Sequence, residues 1–318
     1  HDSTSRLDYS TGTILRSSRF CCYNRIEAKI KGGSTVKTNK DTVVKISVSG
    51  EVAHPLMRSP FRLEIDGTPR LFPGTGGITY NFALGDSAFK MTGDHVEPDV
   101  STKNPDSDKN TAYVAYSCIG NSALVISGDA KGERGVVTGK HGGINHVLIH
   151  FKEEIKEKMA IGDRIQVTGY GQGLVLEDYP GIRVYNIDPY LLERVPVVES
   201  DGKIHFPVRA IVPGYLMGSG SGSGNPAGGD YDIITNDRSL VKRVGLDKLR
   251  IGDFVALENH NDSFGLGGYM EGSVTIGVVV HGDCIITGHG PGVTVIMADG
   301  EGIIVPEVSE KSNIVDFI

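Results

Sequence analysis

Glycine constrains this chain more than any other residue type. It supplies 43 of the 318 residues, roughly twice the usual ~7%. It falls between short runs of β-branched and aromatic residues, with no Gly-X-Y period and only 14 prolines, so neither a collagen-like helix nor a disordered chain fits. Glycine permits the left-handed turns that link neighbouring strands and weakens long helices. The runs "TVVKISVS" (42–49), "TAYVAYS" (111–117), "ALVIS" (123–127), "HVLIHF" (146–151), "RIQVTG" (164–169), "IRVYN" (182–186), "IHFPVRAIV" (204–212), "FVALE" (254–258) and "VTIGVVV" (274–280) all read as strands. The expected fold is mainly β: two barrel- or sandwich-like domains with few short helices.

Three helices are expected. In "FKEEIKEKMA" (151–160), Phe151, Ile155 and Met159 share one face. "DPYLLERV" (188–195) opens with Asp188 as N-cap and Pro189 in the first helical position. "DRSLVKRVGLDKL" (237–249) is a Gly-interrupted third. Residues 1–36 read as a peripheral arm that begins at His1 and is expected to be in part not native. Residues 37–200 and 201–318 read as two β-rich domains, and "GSGSGSGNPAGGD" (218–230) as a mobile loop within the second. "AIGDRIQV" (160–167), "RIGDFVAL" (250–257) and "LGDSAF" (84–89) repeat one Gly-Asp turn, in which the aspartate is expected to accept from backbone N–H groups just beyond it.

Composition narrows the function. A net charge of −7 argues against nucleic acid or an anionic membrane surface as partner, and no apolar run approaches the ~20 residues of a spanning helix. Cys21 and Cys22 are adjacent and Cys118 and Cys284 stand alone, so a reduced, cytoplasmic protein is expected. Apolar strands with edges to cover suggest a homo-oligomer. "RGVVTGKH" fails as a phosphate loop, because Arg134 and His141 occupy the positions that need Gly and Ser or Thr. The spacing of Gly222, Gly224 and Ala227 is followed by a strand rather than a helix, which excludes a dinucleotide fingerprint. G-x-S-x-G, C-x-x-C and H-E-x-x-H are absent.

What remains is imidazole and carboxylate at turns: "GDHVEPD" (93–99), "KHGGINHVLIH" (140–150), "ENHND" (258–262) and "VHGDCIITGHG" (280–290). This mix suits zinc, manganese or iron as well as acid–base work. The candidate metal ligands are His95, His141, His281 and His289, with Asp94 or Asp230 as partner or base. Asp230 and Asp232 stand two apart and repel unless a cation or proton separates them. Gly220, Gly222, Gly224, Gly229 and Asp232 are candidates for gripping a ligand. The expected function is metal-assisted, amidase-like hydrolysis of a small polar molecule. The alternative is a non-catalytic protein that binds a small molecule or anion, or a structural subunit.

"GTGGITYN", "GDHVEPD", "GVVTGKHGGINHVLIHF", "IGDRIQVTGYGQGL" and "NIDPYLLE" resemble the prokaryotic DUF4438 family, as do "GSGSGSGNPAGGDYDIIT", "LRIGDFVALENHND", "TIGVVVHGD" and "TGHGPGV". The resemblance spans about residues 37–318 and implies a mainly β protein. It carries over no catalytic residue. A looser likeness to β-rich, metal-dependent acetamidases and formamidases rests on Gly-Asp-His turns such as Gly93-Asp94-His95.

Overall fold

The computed structural model describes residues 36–57, 61–218, 220, 225–261, 268–284 and 288–318. Most of the expected N-terminal arm therefore lies outside the described residues. In the first half, β1 (Ile46–Val52) is followed by a hairpin of β2 (Arg62–Leu63) and β3 (Pro69–Arg70). Then come β4 (Val100–Lys103), β5 (Ser122–Val125), β6 (Arg134–His141), β7 (His146–His150) and β8 (Arg164–Gly169). Strands β1, β4, β7, β6, β5 and β8 close in that order into an antiparallel barrel. Val100, Val125, Val137, Val147, Ile149, Ile165 and Val167 fill its interior.

The chain then crosses over. β9 (Ile182–Val184) leaves the barrel and pairs with a strand of the second half. That half contains β10 (Val198–Ser200), β11 (Lys203–Val208), β12 (Ala210–Pro213) and β13 (Tyr231–Ile234). It continues with β14 (Phe254–Asn261), β15 (Gly268–Val279), β16 (His289–Asp299) and β17 (Ile304–Val308). The larger sheet runs β12-β14-β15-β16-β13, with β9 also on β16, and the smaller one runs β10-β11-β17. The two share a core in which Phe206 meets Phe254 edge to face at 5.3 Å. Among the described residues no helix is long and apolar enough to cross a membrane.

Helix α1 (Ser107–Tyr116) corrects the expected strand at 111–117. Its β-branched and aromatic residues suggest a strand, but Asp106 accepts the N–H groups of Asp108 and Lys109 and starts a helix. The turn then buries Tyr113 and Val114 against the barrel, and Tyr113 exchanges a 2.7 Å hydrogen bond with Thr102. Tertiary packing outweighs local propensity here. The other three helices form as short turns. They are α2 (Glu153–Lys156), α3 (Pro189–Arg194, capped by Asp188) and α4 (Arg238–Arg243, capped by Asp237). Phe151, Ile155 and Met159 are buried as their spacing predicts.

The Gly-Asp turns are structural, with one difference from expectation. Asp86, Asp163 and Asp253 each accept the N–H of the residue three positions earlier (Ala83, Ala160 and Arg250), at 3.0, 2.8 and 2.7 Å. The aspartate therefore closes the turn backwards rather than capping the strand beyond it. The intervening Gly85, Gly162 and Gly252 have φ of 90°, 87° and 88°. A Cβ at Gly162 meets open space, whereas at Gly252 it meets Leu84, Asn313 and Ile314 side chains at 2.5–2.9 Å. Gly162→Ala is expected to lose only about 1 kcal/mol, the cost of the left-handed backbone. Gly252→Ala should lose clearly more, read as the larger drop in urea midpoint.

Candidate functional site

Four histidines far apart in sequence meet where the barrel faces the larger sheet. His141 ends β6 and His95 sits in the loop before β4, while His281 and His289 bracket the β15–β16 connection. The ring centroids of His141 and His281 are 4.3 Å apart, those of His95 and His289 4.6 Å, and those of His95 and His281 5.2 Å. The rings of His95, His141 and His289 line a cleft of about 710 Å³ together with Asp94, Asp230 and Asp232, and His281 is wholly buried beside them. Leu56, Met57 and Phe61 form an apolar lip on one side.

Three of the four imidazoles are held by a partner on Nδ1. His141 Nδ1 donates to Glu97 Oε1 at 2.6 Å. His95 Nδ1 donates to Asp94 Oδ1 at 2.7 Å, and His281 Nδ1 to the Gly282 carbonyl at 2.8 Å. In these three rings such bonds fix the tautomer and leave Nε2 to face the site, an arrangement typical of histidines that ligate metals. Glu97 is wholly buried and also accepts from His146 Nδ1, the Gly76 N–H and the Ser101 hydroxyl. Burial opposes its charge, but hydrogen bonds from His141 and His146 win and hold its carboxyl well below the usual range.

His281 sits at the densest point. Its Nε2 lies 2.8 Å from Asp230 Oδ2 and 3.2 Å from Asp232 Oδ1. Yet Nε2 and both oxygens are buried with no hydrogen bond of acceptable geometry. Burial alone would lower the His281 pKa, but the two carboxylates raise it well above its ordinary value. Asp232 is correspondingly held below the carboxylate range by His281 and His289, against the opposing effect of burial. Close approach of the strand makes this contact possible. A Cβ on Gly292 of β16 would lie 2.1 Å from both Asp230 Oδ2 and His281 Nε2.

On the open side, His289 Nδ1 is 2.9 Å from Asp232 Oδ2 and 3.2 Å from His95 Nε2. Burial opposes ionisation of both His95 and Asp94. Their mutual hydrogen bond prevails, raising His95 to about 9 and lowering Asp94 to about 2. Asp94 Oδ1 also accepts from the Cys284 thiol at 3.0 Å, and its Oδ2 lies 3.8 Å from Arg62 Nε. His95 and Asp99 both adopt φ of 53°. Backbone strain of roughly 1–3 kcal/mol is concentrated where His95 is aimed.

The structure thus brings together every candidate histidine and all three candidate aspartates. Gly220 and Gly229 line the same cleft, and Gly222 and Gly224 lie outside the described residues. His146 and His150 share a face of β7, where they meet Glu97 and Asp99. His54 and His205 stand apart, the latter paired with Glu307. Sequence reasoning missed the anchoring part of Glu97, although it shares the "GDHVEPD" loop. It also missed Lys140, whose buried ammonium donates to Ala115 and Ala227 carbonyls and to Asn186 Oδ1. Asn186 Nδ2 in turn donates to the Pro226 carbonyl. Lys140 and Asn186 thereby tie the loop that carries Asp230 to the barrel, and Gly142 N–H donates to Asp230 Oδ1 at 2.6 Å.

Two family models cover consecutive parts of the chain: domain of unknown function (DUF4438), N-terminal, over residues 61–193, and its C-terminal counterpart over residues 194–318. A crystal structure of TM1086 is similar throughout, with a TM-score of 0.86 and 49% sequence identity, over 90% of this chain and 100% of that one. No curated protein matches the chain. Within the chain, Glu97→Ala should strip the partners from two buried imidazoles and an N–H, at a cost of about 3–5 kcal/mol. Glu97→Gln, which keeps an acceptor, should lose less. Urea denaturation of the two variants checks the order.

Proposed function

We propose that this chain, which belongs to the DUF4438 family, is a metal-dependent hydrolase acting on an amide or related acyl bond in a small polar molecule. The observation that carries this reading is the environment of His281 Nε2. Nδ1 of that ring is committed as donor to a carbonyl, which can only accept. Nε2 therefore carries either a proton or a lone pair, and it faces two carboxylate oxygens with no satisfactory hydrogen bond to either. A divalent cation satisfies all three atoms at once. His141, Asp230 and His281 offer ligand atoms within 4.8 Å of one another, a spacing that suits one ion.

A metal bound there would lower the pKa of a coordinated water and polarise a carbonyl. The protein's own groups supply the rest. Glu97 and the Gly282 carbonyl fix the two imidazoles, Gly142 N–H fixes Asp230, and the buried floor excludes bulk water. The open mouth lets a proton escape to solvent, and the cleft is large enough for a small molecule.

Protein purified without a nickel column should contain at least one equivalent of zinc, manganese or iron by elemental analysis, and chelation should lower its melting temperature. His281→Ala and Gly292→Ala should retain the fold by circular dichroism and lose that metal. A metal-free preparation whose melting ignores chelator removes the proposal. Because His281 must surrender its proton to the ion, metal affinity should rise about tenfold per pH unit between about pH 6 and 8, as read by calorimetric titration in that range. Metal-dependent breakdown of small amides separates hydrolysis from simple binding.

A further inference from the structure

We infer that the cleft is built for two ions: a second metal held by His95, Cys284 and His289, joined to the first through the carboxylate of Asp232. The inference rests on the metal site at His141, Asp230 and His281 and goes beyond it. Ligand atoms of His95, Cys284 and His289 also fall within 4.8 Å of one another. His95 Nε2 and His289 Nδ1 are 3.2 Å apart. That is close to the roughly 3.3 Å edge of a tetrahedron with metal–nitrogen bonds of about 2.0–2.1 Å.

Hydrogen-bond accounting points the same way. His289 Nδ1 can present one proton or one lone pair, yet it faces both Asp232 Oδ2 and His95 Nε2. It can serve only one of them well, and an ion in the same space serves all three. Asp94 already holds the far side of the His95 ring. Backbone pairing fixes the set, since Asp94 and Cys284 form an antiparallel bridge and the Cys284 N–H donates to the His289 carbonyl at 3.0 Å.

Asp232 links the clusters. Its Oδ1 lies beside His281 Nε2 at 3.2 Å with no hydrogen-bond partner, and its Oδ2 beside His289 Nδ1 at 2.9 Å. One carboxylate therefore offers one oxygen to each cluster, the arrangement of a bridging ligand between ions about 3.5–4 Å apart. Charge agrees. Four carboxylates, Asp94, Glu97, Asp230 and Asp232, surround the four imidazoles; with a Cys284 thiolate the negative charge is five, which two divalent ions offset together with Arg62, 3.8 Å from Asp94. A thiolate among nitrogen ligands favours a soft ion such as zinc over magnesium or calcium.

The test is a titration of chelator-stripped full-length protein with cobalt(II) and, separately, zinc, with bound metal measured by equilibrium dialysis and elemental analysis. Two equivalents per chain are expected, and the cobalt form should show a sulfur-to-cobalt charge-transfer band. Cys284→Ser should abolish the band and reduce binding to one equivalent. His281→Ala should also leave about one equivalent, with the band retained. If wild-type protein binds a single equivalent without the sulfur band, and Cys284→Ser and His289→Ala leave that equivalent in place, the second ion is overturned and the first stands. If no metal binds at all, both readings fall. The wild-type band requires no variant, so a misfolded mutant does not leave the question open.

Discussion

Burying carboxylates is expensive unless each finds a partner, and this molecule buries or half-buries four of them around one cleft. Much of the architecture answers that demand. Glu97, wholly inside, draws His141 and His146 from β6 and β7, an N–H from the chain before β4 and a hydroxyl from β4 itself. Asp230 and Asp232, at β13, hold His289 on the adjacent strand β16 and His281 in the connection before it. Asp94 draws His95 and Cys284. Two of the carboxylates also seat the barrel against the sheet, Asp94 by accepting from the Cys284 thiol and Asp230 by accepting from the Gly142 N–H.

The strands supply rigid mounts, and the irregular chain between them does the aiming. Asp230 and Asp232 flank the start of β13, His289 starts β16, and His141 ends β6, so each is carried at a strand end. His95, by contrast, depends on a left-handed backbone within a loop. β9 reinforces the junction, because it belongs to the first half by order and to the second by pairing. Lys140 and Asn186 secure the glycine-rich loop from the barrel side.

Local chemistry was legible in the sequence and long-range chemistry was not. Asp188 followed by Pro189 announces its helix, and the repeated Gly-Asp pairs announce their turns, because cap and partner lie within a few residues. Residues 111–117 mislead, because burial of Tyr113 against the barrel is a tertiary fact. The histidines at glycine turns stood out because no packing rule explains them there. Their residue types suggested that His95 and His289 share one space, but across 194 positions only the folded chain establishes it. The choice of Glu97 over its neighbours as the central anchor had no signature, since it depends on which carboxylate faces inward across the barrel.

Neither half of the chain owns the cleft: His95, Glu97 and His141 come from the first family-matched part, and Asp230, Asp232, His281, Cys284 and His289 from the second. An ion or ligand bound between them would act as a rivet, and its affinity would include the work of holding the two parts together. A loss of fit on one side would leave the other with only half of the residues that face the cleft.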